Sequence, residues 1–237
     1  MDLSNSVLNC NDIIGHVTIG MKAPEFSGDS TFGHVNLSDY KGKWLILFSH
    51  PGDFTPVCTS EFISFAQLFQ EFQKRQTELL GLSIDSNPSH LAWVYTIYQT
   101  NGIDIPFPII ADRVGDIARL YGMVAPDISR QETVRNVYVI DPAQIIRAII
   151  VYPMTTGRNI YEILRLIDAL QTTDRDHVLT PANWIPGAPT LVPAPRTYEE
   201  LYRRLYDPAS LNLTCKDWYL CYNKTSPSEI SEAQSTF

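Results

Sequence analysis

The chain has 237 residues and a formal net charge of −8, with 44% hydrophobic and 19% charged side chains. That is enough chain to bury a sizeable core. The acidic balance excludes the clustered Lys and Arg excess that phosphate neutralisation needs, so neither nucleic acid nor an anionic membrane is an expected partner.

The first residues carry Asp2 and Asp12 and lack the basic start and apolar run of a secretory signal; the expected location is cytoplasmic. From about residue 44 to residue 171, strand and helix patterns alternate. Trp44 to Ser49 is a continuous apolar run, as for a strand covered on both faces. Phe62, Phe65, Phe69 and Phe72 follow near the helical period, and Leu79 to Ile84 is a second buried strand. Asn87 with Pro88 predicts a helix start, Leu91, Val94, Tyr95 and Tyr98 its apolar stripe, and Gly102 its end. Val134 to Ile140 and Ile145 to Tyr152 predict a hairpin turning at Asp141 to Gln144. Asn159 with Glu162 resembles a capping box ahead of Ile160, Ile163, Leu164 and Ile167. This order predicts an α/β domain with a mixed central sheet flanked by helices over 15–171.

Beyond Gln171 the texture changes, and 172–237 is expected to be a C-terminal arm. Pro181, Pro186, Pro189, Pro193 and Pro195 make an extended stretch, followed by a short amphipathic helix at Tyr198 to Tyr206. Cys215 to Tyr222 is too aromatic for a solvated tail, so a surface to lie on is expected for it. In a reducing compartment Cys10, Cys58, Cys215 and Cys221 are expected to be reactive or redox-cycling rather than a static disulfide framework, with Cys10 incidental.

Cys58 stands at a strand-to-helix junction. Thr55 suits the N-cap, Pro56 the first helical position, and Cys58 then falls at the third. The positive end of a helix and its unpaired N–H groups favour thiolate over thiol. Full conversion to thiolate gains only about thirtyfold over the few per cent present at neutral pH. Enzymes commonly reach ~10⁶ or more, so donors and a cation must also stabilise the leaving oxygen.

Pro51, Thr55 and Cys58, in the order Pro-x-x-x-Thr-x-x-Cys, resemble the active-site pattern of the peroxiredoxins. The run from His50 to Thr59 is similar to the subgroup holding mammalian one-cysteine enzymes and archaeal thioredoxin peroxidases. The likeness continues through Phe107 to Asp112, Thr133 to Asp141, Tyr152 to Arg158, Pro181 to Trp184, Leu191 to Pro193 and the Cys215 to Cys221 arm. The resemblance implies a thioredoxin-like fold and a thiol-specific peroxidase acting on hydrogen peroxide and organic hydroperoxides, without metal or organic cofactor. It implies that Cys58 is the peroxidatic cysteine, that Thr55 and Arg135 hydrogen-bond the peroxide oxygens and that Pro51 walls off the pocket. By the same likeness His50 contacts the substrate and Arg158 positions Arg135 or the thiolate. Cys221 is then expected to resolve Cys58 of the neighbouring subunit, with Cys215 assisting or relaying. Thioredoxin or another thiol is the implied reductant, and a homodimer assembling into a decamer the implied oligomer.

Three alternatives compete with this expectation. A disulfide oxidoreductase would need Cys-x-x-Cys, but the first position is Thr55. Gly28-Asp29-Ser30 resembles a lipase element of mammalian-type relatives but lies in the wrong place, so no phospholipase activity is expected. An oligomeric holdase or scaffold would survive Cys58→Ser, whereas a peroxidase would not.

Overall fold

The computed structural model describes residues 17–129 and 131–223, so Cys10 lies outside the described residues. The chain divides into two compact units, the first ending at Ile160 and the second starting at Tyr161.

In the first unit the elements are β1 (Ser27–Ser30), β2 (Gly33–Asn36), a 3-10 turn (Leu37–Tyr40), β3 (Trp44–Ser49), α1 (Pro56–Gln67) and α2 (Phe69–Lys74). They continue with β4 (Thr77–Ser83), α3 (Asn87–Asn101), β5 (Ile109–Ala111), α4 (Asp116–Leu120), β6 (Arg135–Ile140) and β7 (Ile146–Tyr152). Seven strands form one mixed sheet in the order β2-β1-β5-β4-β3-β6-β7. The strand β3 lies inside the sheet, parallel to β4 and antiparallel to β6. As its unbroken apolar run predicts, every residue of it is buried. Leu45 and Leu47 join Leu80, Leu82 and Ile110 in one core cluster. Phe48 stacks on Phe65 of α1 at 4.3 Å between ring centroids.

The phenylalanine stripe is real, with Phe62, Phe65 and Phe72 fully buried, but it spans two helices that break at Leu68. No proline or glycine marks that break, so periodicity runs through it. Gly81 of β4 lets α1 approach, because a Cβ there would lie 3.2 Å from the Phe62 ring. The β6–β7 hairpin turns where expected: Gln144 N–H donates to Asp141 O at 2.8 Å, and Gln144 takes the left-handed φ of 65°.

Two details of α3 correct the sequence expectation. Ser86 is the N-cap, its Oγ accepting from Ser89 N–H at 3.3 Å, so Asn87 and Pro88 are already helical. The buried face carries His90, Trp93 and Ile97, while Leu91, Tyr95 and Tyr98 are 47%, 63% and 46% exposed. Hydropathy misassigned the face because a histidine turned inward.

The second unit contains most of α5 (Ile160–Asp176), then α6 (Tyr198–Tyr206), β8 (Leu213–Asp217) and β9 (Leu220–Asn223). Ile160, Ile163, Leu164 and Ile167 are buried, as the period predicts. The proline-rich stretch is extended and bridges at Leu179 with Leu191 and at Leu191 with Tyr222. The aromatic arm segment is a hairpin, β8 antiparallel to β9, with Cys215 opposite Cys221. Arg204 of α6 donates to Pro193 O at 2.6 Å and reaches Trp218 O at 3.5 Å, tying helix to hairpin. Among the described residues no helix is long and apolar enough to cross a membrane.

Candidate active site

The loop from His50 to Thr55 leads from β3 into α1 and places Cys58 in the first helical turn. Thr55 is the N-cap with extended backbone, and Pro56 opens the helix. Thr55 does not cap with its side chain; its Oγ1 donates to Gly52 O at 2.8 Å, leaving the oxygen lone pairs to accept. Cys58 is a free thiol and fully buried, and Pro51 is buried too. The loop end is stitched to β6: Ser49 Oγ donates to Val134 O at 2.6 Å, and Thr133 Oγ1 donates to His50 O at 2.8 Å. These bonds bring the first residue of β6, Arg135, over the thiol.

Arg135 Nη1 donates to Cys58 Sγ at 3.3 Å and to Glu61 Oε2 at 2.7 Å. Its Nε and Nη2 both donate to Met154 O, at 3.0 and 2.6 Å. Both Nη1 hydrogens, the Nε hydrogen and one Nη2 hydrogen are thereby engaged. The other Nη2 hydrogen has no partner among the described residues.

Glu61 was not singled out from sequence, yet it organises the site. It lies one turn after Cys58 and is almost fully buried. Arg158 donates to it three times: from its backbone N–H and Nε to Oε1, each at 2.8 Å, and from Nη2 to Oε2 at 2.7 Å. Arg158 Nη1 donates to Ser49 O and Asn136 O at 2.9 and 3.0 Å, and the guanidinium lies 5.2 Å from the Phe48 ring centroid. Burial alone would push the Glu61 carboxyl up. The charge and hydrogen bonds of Arg158, with the charge of Arg135, outweigh that and hold it below the usual carboxylate range. Arg158 thus reaches Arg135 through Glu61. The available signal was one carboxylate three residues after Cys58 on a phenylalanine-lined face.

His50 is fully buried, stacked on Trp93 at 5.1 Å, with Nε2 3.0 Å from Asp53 Oδ1. The other side of Asp53 meets His90 Nδ1 at 2.9 Å. Burial would raise the Asp53 carboxyl, but the hydrogen bonds from both imidazoles keep it well below the carboxylate range. These three side chains are the metal-capable cluster among the described residues. Their facing atoms already hydrogen-bond one another, which leaves those atoms engaged within the trio.

Cys215 and Cys221 are not free thiols; they are joined to each other by a disulfide across the β8–β9 pair. The cross-strand register sets these two cysteines opposite each other, with their Cα atoms 4.0 Å apart.

Residues 19–149 match the AhpC/TSA family, and residues 169–205 match the C-terminal domain of 1-Cys peroxiredoxin. "Peroxiredoxin 2" of Caldanaerobacter subterraneus subsp. tengcongensis is 58% identical over 87% of this chain and 92% of its own length. "Peroxiredoxin" of Aquifex aeolicus is 49% identical over 90% and 99%. Among solved structures, a cysteine-to-serine mutant of Peroxiredoxin 6 of Arenicola marina superposes with a TM-score of 0.78. It is 38% identical, over 89% of this chain and 99% of that one. A yeast mitochondrial 1-Cys peroxiredoxin, studied for thiol resolution through glutathione and thioredoxin systems, gives 0.77 at 39% identity, covering 88% and 100%.

Proposed function

The chain belongs to the AhpC/TSA family of peroxiredoxins and is a thiol-dependent peroxidase, and from that premise we infer that Cys58 is the group that attacks the peroxide. The Cys58 thiolate displaces at one peroxide oxygen: an S–O bond forms, the O–O bond breaks, and the leaving oxygen departs with the electron pair and takes up a proton. Cys58 is left as sulfenic acid. The observation that carries this is the contact of Arg135 Nη1 with Cys58 Sγ at 3.3 Å in the first turn of α1. A cation there steadies the sulfur anion before reaction and the departing oxygen during it. The remaining Nη2 hydrogen of Arg135 donates to the peroxide, and Thr55 Oγ1 accepts from it. Pro51 closes the wall, His50 contacts the substrate, and Arg158 positions Arg135 through Glu61.

For the return step, Cys221 of the neighbouring subunit attacks the sulfenic acid, releasing water and forming a mixed disulfide. Cys215 thiolate then attacks Cys221, which leaves a Cys215–Cys221 disulfide and a free Cys58. The arm disulfide and the free Cys58 are the pairing expected after that relay. A thioredoxin-like dithiol reduces the arm disulfide. The edge strand β7 and the exposed aromatic residues Tyr202, Tyr206, Trp218 and Tyr219 support a homodimer, with a decamer as the further assembly.

Peroxide consumption under steady thiol supply tests the first step. Cys58→Ser is expected to abolish it, and activity retained in that variant would refute the assignment. Intact mass after one equivalent of peroxide tests the second. A Cys221→Ser chain that still forms a Cys58 disulfide normally would overturn the role of Cys221.

A further inference from the structure

The chemistry above uses one histidine of a three-residue network and leaves the other two members without a role. Asp53 lies in the loop between β3 and α1 with its carboxylate almost fully enclosed, and His50 and His90 are completely buried. His50 Nε2 is 3.0 Å from Oδ1 of Asp53, and His90 Nδ1 is 3.0 and 2.9 Å from its two oxygens. A carboxylate only accepts, so both imidazole nitrogens must donate. His90 Nε2 is 3.2 Å from Ile110 O, which also only accepts. His90 therefore carries a proton on each ring nitrogen, and its positive charge is balanced by Asp53.

His50 differs. Its Nδ1 is buried and has no hydrogen-bond partner among the described residues. A second proton there would have no acceptor. Burial disfavours that charged form, Asp53 opposes this in part, and the charges of His90 and Arg158 add to the penalty. Asp85 faces the Asp53 loop instead, its Oδ2 accepting from the Asp53 backbone N–H at 2.9 Å and from Ser83 Oγ at 3.0 Å. His50 is thus neutral, with its single proton on Nε2 and a bare lone pair on Nδ1.

We propose that Asp53 and His90 are positioning residues that lock His50 in its Nε2–H form, so that Nδ1 stands ready to accept the O–H of the hydroperoxide. The use of that lone pair rests on the reading of His50 as a substrate contact; the lock itself does not. A cation fixed on the far side of Asp53 keeps the carboxylate ionised, and the carboxylate then dictates which nitrogen of His50 holds the proton.

The test is long-range ¹H–¹⁵N spectroscopy of the histidine rings in the reduced full-length chain at about pH 7. His90 is expected to show two protonated nitrogens and His50 only Nε2. A singly protonated His90, or a His50 proton on Nδ1, overturns the proposal. Asp53→Asn is expected to mix the His50 tautomers and slow the reaction of Cys58 with hydrogen peroxide about tenfold. Alkylation of Cys58 by iodoacetamide should stay unchanged, a split that loss of packing alone would not give. A mixed tautomer with an undiminished peroxide rate overturns the functional half. Should Asp53→Asn fail to fold, the spectrum of the unmodified chain decides alone. If that chain ignores peroxide while its rings are protonated as expected, the peroxidase reading fails and the lock stands.

Discussion

Replacing Glu61 by Gln tests whether one buried carboxylate sets the geometry at Cys58. The side chain has both oxygens engaged by Arg158 and Arg135 at 2.7 to 2.8 Å, and all three groups are about 2% exposed or less. Glutamine keeps one acceptor but turns an NH₂ toward a guanidinium and leaves two buried cations facing each other. Removing one partner of such a pair costs about 3–5 kcal/mol, a large share of the ~5–15 kcal/mol that holds a domain together. For a chain of this size, the melting temperature is expected to fall by about 6–20 °C. Peroxide reactivity should drop by about tenfold or more, because Arg135 loses the contact that aims its Nη1. Iodoacetamide alkylation should not slow, since removing a neighbouring negative charge favours thiolate. A melt shifted by less than about 2 °C together with an unchanged peroxide rate would refute the reasoning. The pH dependence has a definite sign. The folded-state carboxyl is held below its unfolded value of about 4.3, so its contribution is complete above that pH. It is lost as pH falls through the lower folded value, and Glu61→Gln should flatten that acid limb.

Arg135→Lys keeps the charge but cannot engage Sγ, Glu61 and Met154 O together; peroxide reactivity measured by stopped flow should fall about 10²–10³-fold. A loss under threefold would mean that charge alone suffices. Gly81→Ala places a methyl group 3.2 Å from the ring of the buried Phe62, which in turn packs on His50 and Trp93. Urea unfolding should register a loss of about 1–3 kcal/mol, and an unchanged midpoint would show that α1 can retreat freely. At alkaline pH, burial raises Tyr40 and Tyr138 to about 12. Their stabilisation is complete below the unfolded value of about 10 and is lost as pH rises toward 12. Denaturation midpoints should decline across that interval, and a flat profile would contradict it.

The parts of the fold legible in sequence are those where one physical cause dominates. The run from Trp44 to Ser49 can only be a covered strand, and Asp141 to Gln144 can only turn. The strands β1 and β5 were not legible, because Ser27 to Ser30 has no strand-forming composition and is extended by pairing with β2 and Ile110. The stripe on α3 was misread for a related reason. His90 and Trp93 face inward to satisfy Asp53 and Thr59, at 2.9 Å and 3.1 Å, and hydropathy does not count such bonds. At the site, position within a helix located Cys58, whereas Arg135 stands 77 residues away and entered through family likeness alone. Glu61, Asp53 and His90 escaped because a lone polar residue in a pattern reads as surface until its partner is known.

Charge counting across the two networks explains why they are built differently. Around the thiol stand Arg135 and Arg158 with one carboxylate, so the buried groups sum to zero only when Cys58 is a thiolate. In the proposed reaction, attack on a peroxide moves that negative charge from sulfur to the leaving oxygen and creates no new charge inside the protein. The cation that balanced the first anion is already beside the second, so little reorganisation is needed in the transition state. The Asp53 network is arranged differently, since both of its carboxylate oxygens already face imidazole nitrogens of His50 and His90. In the proposed assignment that network holds His50 as a neutral acceptor while charge moves at Cys58. A thiol-to-serine change at position 58 removes the anion that brings the first network to zero, and should leave two guanidiniums competing for Glu61. Cys58→Ser is accordingly expected to bind small anions such as chloride or azide at that place, detectable as a salt-specific rise in melting temperature. No anion-specific rise would mean that the balance of charge around the sulfur is not what holds the site together.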